Sequence, residues 1–557
     1  LSTTPPVRRL HGFGQTHTAK VTRELWRDLY EPGLYQDLWF RWDGKPLILA
    51  DPALVVGSQE QAQHNTPAEL RPGHTLGQSF TTKEPMLAVS GSFPTWRETA
   101  SSVTLTLRRG GPTGEIVLSK RFANFGDNAS LRLELEKPAE PGAYYLEASD
   151  PKGRVGWWSH TAEQLTGGEA FADGAAVAGD RTLRIVLADD ETKPLRNFFT
   201  FRKPQPDYFQ GPTQPNMWSW LEVYPQHRFT NSAGVNEQMS VGVGQNAVDG
   251  RLGSMSEPGA RGRSFHSGKT DGRLDAVRHG FNVAEQWEHA LREDPRFNFV
   301  TGWNEWIAGR FAEFNGVKLP VMFVDQFDQE HSRDIEPMRG GHGDDYYCQL
   351  VSYIRRYKGA REQPSVVPQA IQIDGKFEDW GKVQPEFRDT IGDPVQREHR
   401  GWDPKVTYQN QTGRNDFVVA KMSWDQERAY FYIRTAEPIT EAAGTNWMNL
   451  LIDIDMNTAT GWLGYDFIVN FPERGLLARH TGEFRWKEVG YSAVQLKFRG
   501  KELELSIPWR TLGGVRPARL DFKWTDNCFQ SGDWTDLTLN GDAAPNDRFN
   551  YRAILPK

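Results

Sequence analysis

The pattern that most limits how this chain can fold is alternation of apolar and polar residues in short runs, set off by Gly, Pro, Asp and Asn at a spacing of roughly ten residues. It holds from residue 67 to about 193, as in Ser102–Leu107 (SVTLTL), Leu131–Leu135 and Tyr144–Glu147. It returns from Ile371 in Asn415–Ser423, Ala429–Thr435, Asn449–Asp455, Tyr465–Asn470 and Leu503–Ile507. Successive side chains of a strand point to opposite faces, so each run offers one apolar face that a second sheet must cover. The pattern predicts two β-sandwiches, residues 67–193 and 371–557, with 361–370 (REQPSVVPQA) as a Pro-containing linker.

Residues 1–66 and 194–360 read differently. A polar segment leads into a helix-like stretch at Thr22–Tyr30 and a buried-type strand at Lys45–Leu49. Later, Asn197–Arg202, Met217–Val223, Gln238–Val243, Phe297–Trp303 and Val321–Gln326 look like buried parallel strands, and Ala284–Arg292 and Tyr346–Tyr357 like helices. Polar residues gather at the carboxyl ends of these strands: Arg202, Glu222, Gln245 with Asn246, Asn304 with Glu305, and Asp325. In a β/α barrel that end carries the active site, because the βα loops converge there. The expectation is a TIM-like (β/α) barrel split into residues 1–66 and 194–360, with the first sandwich, carbohydrate-binding-like, inserted between its parts. About six barrel strands can be counted where eight are needed, so the first strands are expected upstream of Leu1, in a segment that completes the barrel.

At 557 residues the chain is too long for one core, which agrees with several domains. A net charge of −7 and a pI near 6.1 argue against nucleic acid as a partner. No apolar run approaches the ~20 residues of a transmembrane helix, so no membrane span is expected. No leader segment is recognisable, and any export signal is expected to have been removed from a secreted, periplasmic or cell-surface protein. Cys348 and Cys528 are the two cysteines and read as free, partly buried thiols. The unusual count is 20 Trp, whose flat apolar faces and N–H donors suit sugar rings as well as cores.

Thr301-Gly302-Trp303-Asn304-Glu305-Trp306 at a strand end resembles the Trp-Asn-Glu-Trp signature of glycoside hydrolase family 99 and family 71-like barrels, a group that includes endo-acting α-mannan enzymes. Trp220-Leu221-Glu222-Val223-Tyr224-Pro225 is similar to the Glu-Pro-Tyr strand end of the same group, with Val223 interrupting the match. The run Phe323–Phe327 and on to Arg333-Asp334-Ile335-Glu336-Pro337 resembles large bacterial polysaccharide-degrading proteins. In the C-terminal region, Ile373–Trp380 (IDGKFEDW) and Leu451–Asn457 with Thr460-Gly461-Trp462 resemble carbohydrate-binding module family 9. These resemblances imply a glycoside hydrolase acting on a polysaccharide or oligosaccharide, with a sugar-binding C-terminal domain.

Glycosidic cleavage needs two carboxyl groups flanking the bond. Glu305, Glu222 and Asp325 are the candidates, with Trp303, Trp306, Trp218, Trp220 and Tyr224 as sugar platforms. Asn304, Arg202 and Gln245 would bind substrate hydroxyls or an anionic substituent. A carboxyl lying against indole faces is partly desolvated, which raises its pKa as a general acid requires. Asp334 and Glu336 near Arg333 read as a loop ion pair. Asp453, Asp455 and Asn457 alternate, and on one strand would share a face able to hold a structural Ca²⁺, although no EF-hand pattern is present. No cofactor is required by this reading. Trp447, Trp462 and Trp402 are further platforms or core rings. Gly242-Val243-Gly244-Gln245 lacks the third glycine of a dinucleotide turn, and no His-Glu-x-x-His, Cys cluster or Gly-x-Ser-x-Gly is present. Two other readings stay open: a non-catalytic glycan-binding protein or inactive barrel, and a polysaccharide lyase.

Overall fold

The computed structural model describes residues 18–51, 65–163, 165, 167–187, 193–205, 207–305, 309–394, 396–401, 403–441, 446–470, 476–489, 493–528 and 532–556. The chain forms two compact units, Leu1–Tyr357 and Lys358–Lys557.

In the first unit, the alternating segment builds a six-stranded sheet that includes Leu76–Thr82, Ser102–Arg109 and Gly142–Lys152, and a three-stranded sheet of Met86–Phe93, Ala129–Ala139 and Arg184–Leu187. Val103, Leu105 and Leu107 of the first sheet and Val89, Leu131 and Ile185 of the second belong to one buried cluster. Trp157 packs on Phe93, with ring centroids 5.0 Å apart, and its indole N–H donates to the Thr182 carbonyl. A Cβ at Gly91 would lie 2.7 Å from that indole nitrogen, so the close approach of strand and ring admits glycine there.

The expected barrel is not what these residues form. Strands take up 41% and helices 12% of the structure, in many small sheets, and no helix-rich (β/α) barrel is evident among the described residues. Lys45–Leu49, Thr200–Pro204 and Met217–Trp218 pair in parallel in one four-stranded sheet. Asn236–Gly242 and Phe297–Thr301 pair in parallel in another, of three strands. The two are joined by side chains instead of a backbone ladder: the Ser219 N–H donates to Gln238 Oε1 (2.8 Å), and Gln238 Nε2 donates to the Ser219 carbonyl (2.8 Å). Met217–Trp218 is only two residues long, because the next backbone donors, on Ser219 and Trp220, are taken by the amides of Gln238 and Gln205.

Two of the expected barrel strands also fold otherwise. Lys193–Phe198 is helical, with the strand beginning at Thr200. Val317–Phe323 pairs antiparallel with Arg310–Phe314 as a hairpin. The helix Phe281–Glu293 connects the parallel strands Asn236–Gly242 and Phe297–Thr301. It buries Val283, Trp287 and Ala290 with Tyr353 of the helix Asp345–Lys358, and Trp287 and Tyr353 stack 5.5 Å apart at an interplanar angle of 1°.

The second unit has a five-stranded sheet containing Phe417–Trp424, Arg428–Thr435 and Glu502–Pro508, and a seven-stranded sheet containing Asn449–Asp453, Phe467–Asn470 and Arg519–Asp526. Met422, Phe431 and Leu505 of one and Leu450, Val469 and Phe522 of the other share one core. Cys528 is buried and Cys348 half-buried, and neither is in a disulfide.

Candidate functional site

The strand Phe297–Thr301 ends at Gly302, whose φ of +90° favours glycine. A Cβ there would collide with the Arg333 carbonyl oxygen, so the chain turns directly under residues 332–336. The Ile335 and Glu336 N–H groups donate to the Trp303 carbonyl at 3.1 and 2.8 Å, clamping the turn. The Glu305 N–H donates to Asp334, which is buried, and that burial pushes the Asp334 carboxyl above its usual range.

Arg333 organises what surrounds this turn. Its side chain is 0% exposed, and its guanidinium donates from Nε to Glu305 Oε2 at 2.9 Å and from Nη1 to Asn246 Oδ1 at 3.1 Å. Nη2 forms an ion pair with Asp325, which is buried. The guanidinium carbon sits 5.4 Å from the centroid of Trp220, a cation–π distance, and Trp220 meets Tyr208 edge-on at 5.6 Å. Burial pushes the Tyr208 phenol up to about 12. Glu305 and Asp325 are thus both held by one guanidinium. Their exposures differ: the Glu305 side chain is 40% exposed and that of Asp325 3%. Trp303 is 46% exposed, meets Tyr347 edge-on at 5.8 Å, and is followed by the exposed Asn304. Trp306 lies outside the described residues.

Glu222 lies apart from this group. Its carboxyl is fully buried, accepts the His227 N–H at 2.8 Å, and lies 3.2 Å from His227 Nδ1. Desolvation pushes it up to about 8, against the backbone bond from His227, with Asp207 adding repulsion. Burial therefore does to Glu222 what a general acid requires, but in a place where the carboxyl faces His227 and not a cleft.

Several expected substrate-binding groups are committed to the interior. Arg202 is buried and holds Glu237 with two bonds of 2.6 and 2.7 Å, and its Nη2 reaches Asp43 at 3.1 Å. Trp218 donates to the same Glu237 at 2.7 Å and stacks on Phe297 at 5.1 Å, so its faces are packed. Gln245 is buried against Asn282, whose amide donates to it at 2.9 Å. Tyr224 is half-buried, edge-on to His289 at 5.8 Å, and begins a cis peptide bond to Pro225. Sequence patterning missed Tyr208 and Arg333 as the central cation; it placed Asn246 at a strand end and Asp334 in a loop ion pair but gave neither a part beside Glu305. The run Arg333-Asp334-Ile335-Glu336 carried a signal, but read as a local ion pair; Arg333 instead pairs with Glu305 and Asp325, outside that run.

In the second unit the expected oxygen triad changes membership. The strand ends at Asp453, and Met456 takes a φ of +59°, so alternation does not continue through Asn457. Asn457 caps its own turn by accepting the Ala459 N–H at 3.1 Å. Asp466 takes its place: carboxylate oxygens of Asp453, Asp455 and Asp466 lie within 4.8 Å of one another. Burial and these neighbours push Asp453 up to about 6. Asp389, Asp393 and Asp542 form a similar group. Trp447 and Trp462 are buried in cores, and Trp402 lies outside the described residues.

No family model and no curated protein matches the chain. Among solved structures, one described as the structure of infectious bursal disease virus Gt strain aligns with 24% of this chain at 13% identity and a TM-score of 0.13. The chain spans about a third of the length of that viral chain, 32%. A superposition this poor carries no argument about fold or function.

Proposed function

We propose that this chain is a glycan-acting protein, a glycoside hydrolase with Glu305 as the carboxyl that meets the substrate and Asp325 as the second carboxyl behind it. One observation carries the reading: a half-exposed carboxylate, fixed through Arg333 Nε and through Asp334 at its own backbone, stands beside the exposed indole of Trp303. A sugar ring stacked on Trp303 would place its hydroxyls or glycosidic oxygen within reach of Glu305, and Asn304 adds an amide donor and acceptor at the same edge. Arg333 holds Glu305 in one orientation, which a group acting on a single bond requires.

Asp325 favours a second reading, since its carboxyl is buried and occupied by Arg333. In that reading the same surface binds glycan without cleaving it. Reducing-end release from a panel of plant and algal polysaccharides, with binding measured in parallel, separates the two. The hydrolase reading expects release by the native chain, its loss in Glu305→Gln, and retained affinity in that variant. Binding without release by the native chain gives the second reading, and release undiminished in Glu305→Gln removes the site assignment.

A further inference from the structure

Next to the Glu305 group, and separate from it, lies a cavity of about 160 Å³ lined by Arg263, Ser332, Gln326, Gln329, Met338 and His342. Asp328 also reaches its rim, where it is tied to His331 by an ion pair of 3.0 Å. Its polar interior is poorly satisfied. Arg263 is 0% exposed and donates from Nη2 to Ser332 Oγ at 2.6 Å, while Nε and Nη1 have no hydrogen-bond partner. The guanidinium lies 4.5 Å over the Tyr346 ring, which fixes its plane. His342 is also 0% exposed, packs edge-on to Tyr346 at 4.9 Å, and neither of its ring nitrogens has a partner.

Groups this deeply buried are ordinarily paired, because an unsatisfied polar atom costs about 1–3 kcal/mol and a charged one more. Here a cation and an imidazole converge on one small cavity with three donor positions unmet. Desolvation and the Arg263 charge pull His342 down to about 4, so near neutrality the ring is uncharged and carries one N–H. Of the acids whose charge reaches Arg263, Glu330 accepts from the Ser264 N–H and hydroxyl at 2.9 and 2.6 Å, and Asp334 accepts the Glu305 N–H through Oδ1 while its Oδ2 has no partner. An unpaired guanidinium donor beside a neutral imidazole N–H matches an oxyanion, whose separate oxygens accept from the two groups.

We propose that the cavity between Arg263 and His342 is a subsite for one oxyanion substituent, a carboxylate or sulfate ester, carried on the glycan. Resting on the glycan reading above, it narrows the substrate class to acidic glycans. Consecutive residues supply the two sites, Ser332 to the cavity and Arg333 to Glu305, so a sugar at Trp303 and its charged neighbour would be read by one stretch of chain.

The test is calorimetric binding to the full chain of methyl glucuronide, glucose 6-sulfate and methyl glucoside. At least one charged sugar should bind tenfold or more tightly than the neutral one, and the two charged arms tell carboxylate from sulfate. His342→Leu should weaken the charged probe about tenfold while holding or raising Tm, since it removes unpaired buried nitrogens; Ser332→Ala, which frees a guanidinium donor, should leave the preference in place. Equal affinity for charged and neutral sugars, or undiminished charged-sugar binding in His342→Leu, overturns the proposal. Binding of the charged probes by a chain that releases no reducing ends would leave this subsite standing while the hydrolase reading falls. Turnover of neutral glycans with no charge preference would do the reverse.

Discussion

At the residue scale the decisive group is Arg333, a fully buried cation whose charge is answered by Asp325 and Glu305. Breaking a buried pair by removing one partner costs about 3–5 kcal/mol, because the other charge is left in low dielectric. Arg333→Met should therefore lower the Tm of the first unit sharply, and adding Asp325→Asn should recover a good part of the loss; additive losses in a double-mutant cycle would show the pair to be weak. Glu222 makes a different prediction. With its folded pKa near 8, above the ordinary 4.5, it binds a proton in the folded state over a window where the unfolded chain does not. Its contribution is present below the unfolded value and lost as pH rises through about 8. Glu222→Gln, which mimics the protonated form, should leave stability nearly unchanged at pH 5 and raise it at pH 9, as followed by thermal unfolding. The strand-end place of Glu305 between tryptophans could be read from the sequence, whereas the central place of Arg333 could not, since it depends on bonds to Glu305, 28 residues away, and to Asn246, 87 away.

At the scale of elements, hydrophobic runs gave the helices Phe281–Glu293 and Asp345–Lys358 and most strands of the alternating segments, because burial on one face imposes a period that sequence displays directly. The short parallel strands were harder. An apolar run such as Met217–Val223 satisfies strand, loop and core alike, and what ended it at Trp218 was capture of two backbone N–H groups by Gln238 and Gln205. That joint is itself testable. Gln238→Leu leaves the Ser219 N–H and carbonyl unpaired in the interior, at about 1–3 kcal/mol each. A lower urea midpoint for the first unit is expected, and an unchanged one would mean that the Glu237 bonds and the Trp218–Phe297 stack hold the two sheets without it.

At the scale of the whole molecule, two units with separate cores should unfold in separate transitions. The second unit carries an acid-rich interior in which burial and mutual repulsion raise Asp453 to about 6, Asp389 to about 7 and Asp542 to about 8. All three are held protonated in the folded state beyond the ordinary 3.8, so its Tm should fall as pH rises from about 4 to 8. Buried Lys523 acts in the opposite sense: desolvation lowers it from 10.5 to about 7, so stability returns as pH climbs toward 10. Calorimetry across this range should find a minimum near pH 8, and Asp542→Asn should make it shallower. The sequence by itself determined where side chains alternate, which segments need a covering layer, and that Glu305 sits at a strand end among aromatic rings, because these follow from local period and residue type. Only the tertiary structure decided that the parallel strands stop short of a barrel, that Arg202 and Trp218 belong to the core around Glu237, and that Arg333 binds Glu305 to Asp325. Those outcomes depend on which buried polar group finds which partner in another element, and no local pattern encodes that choice.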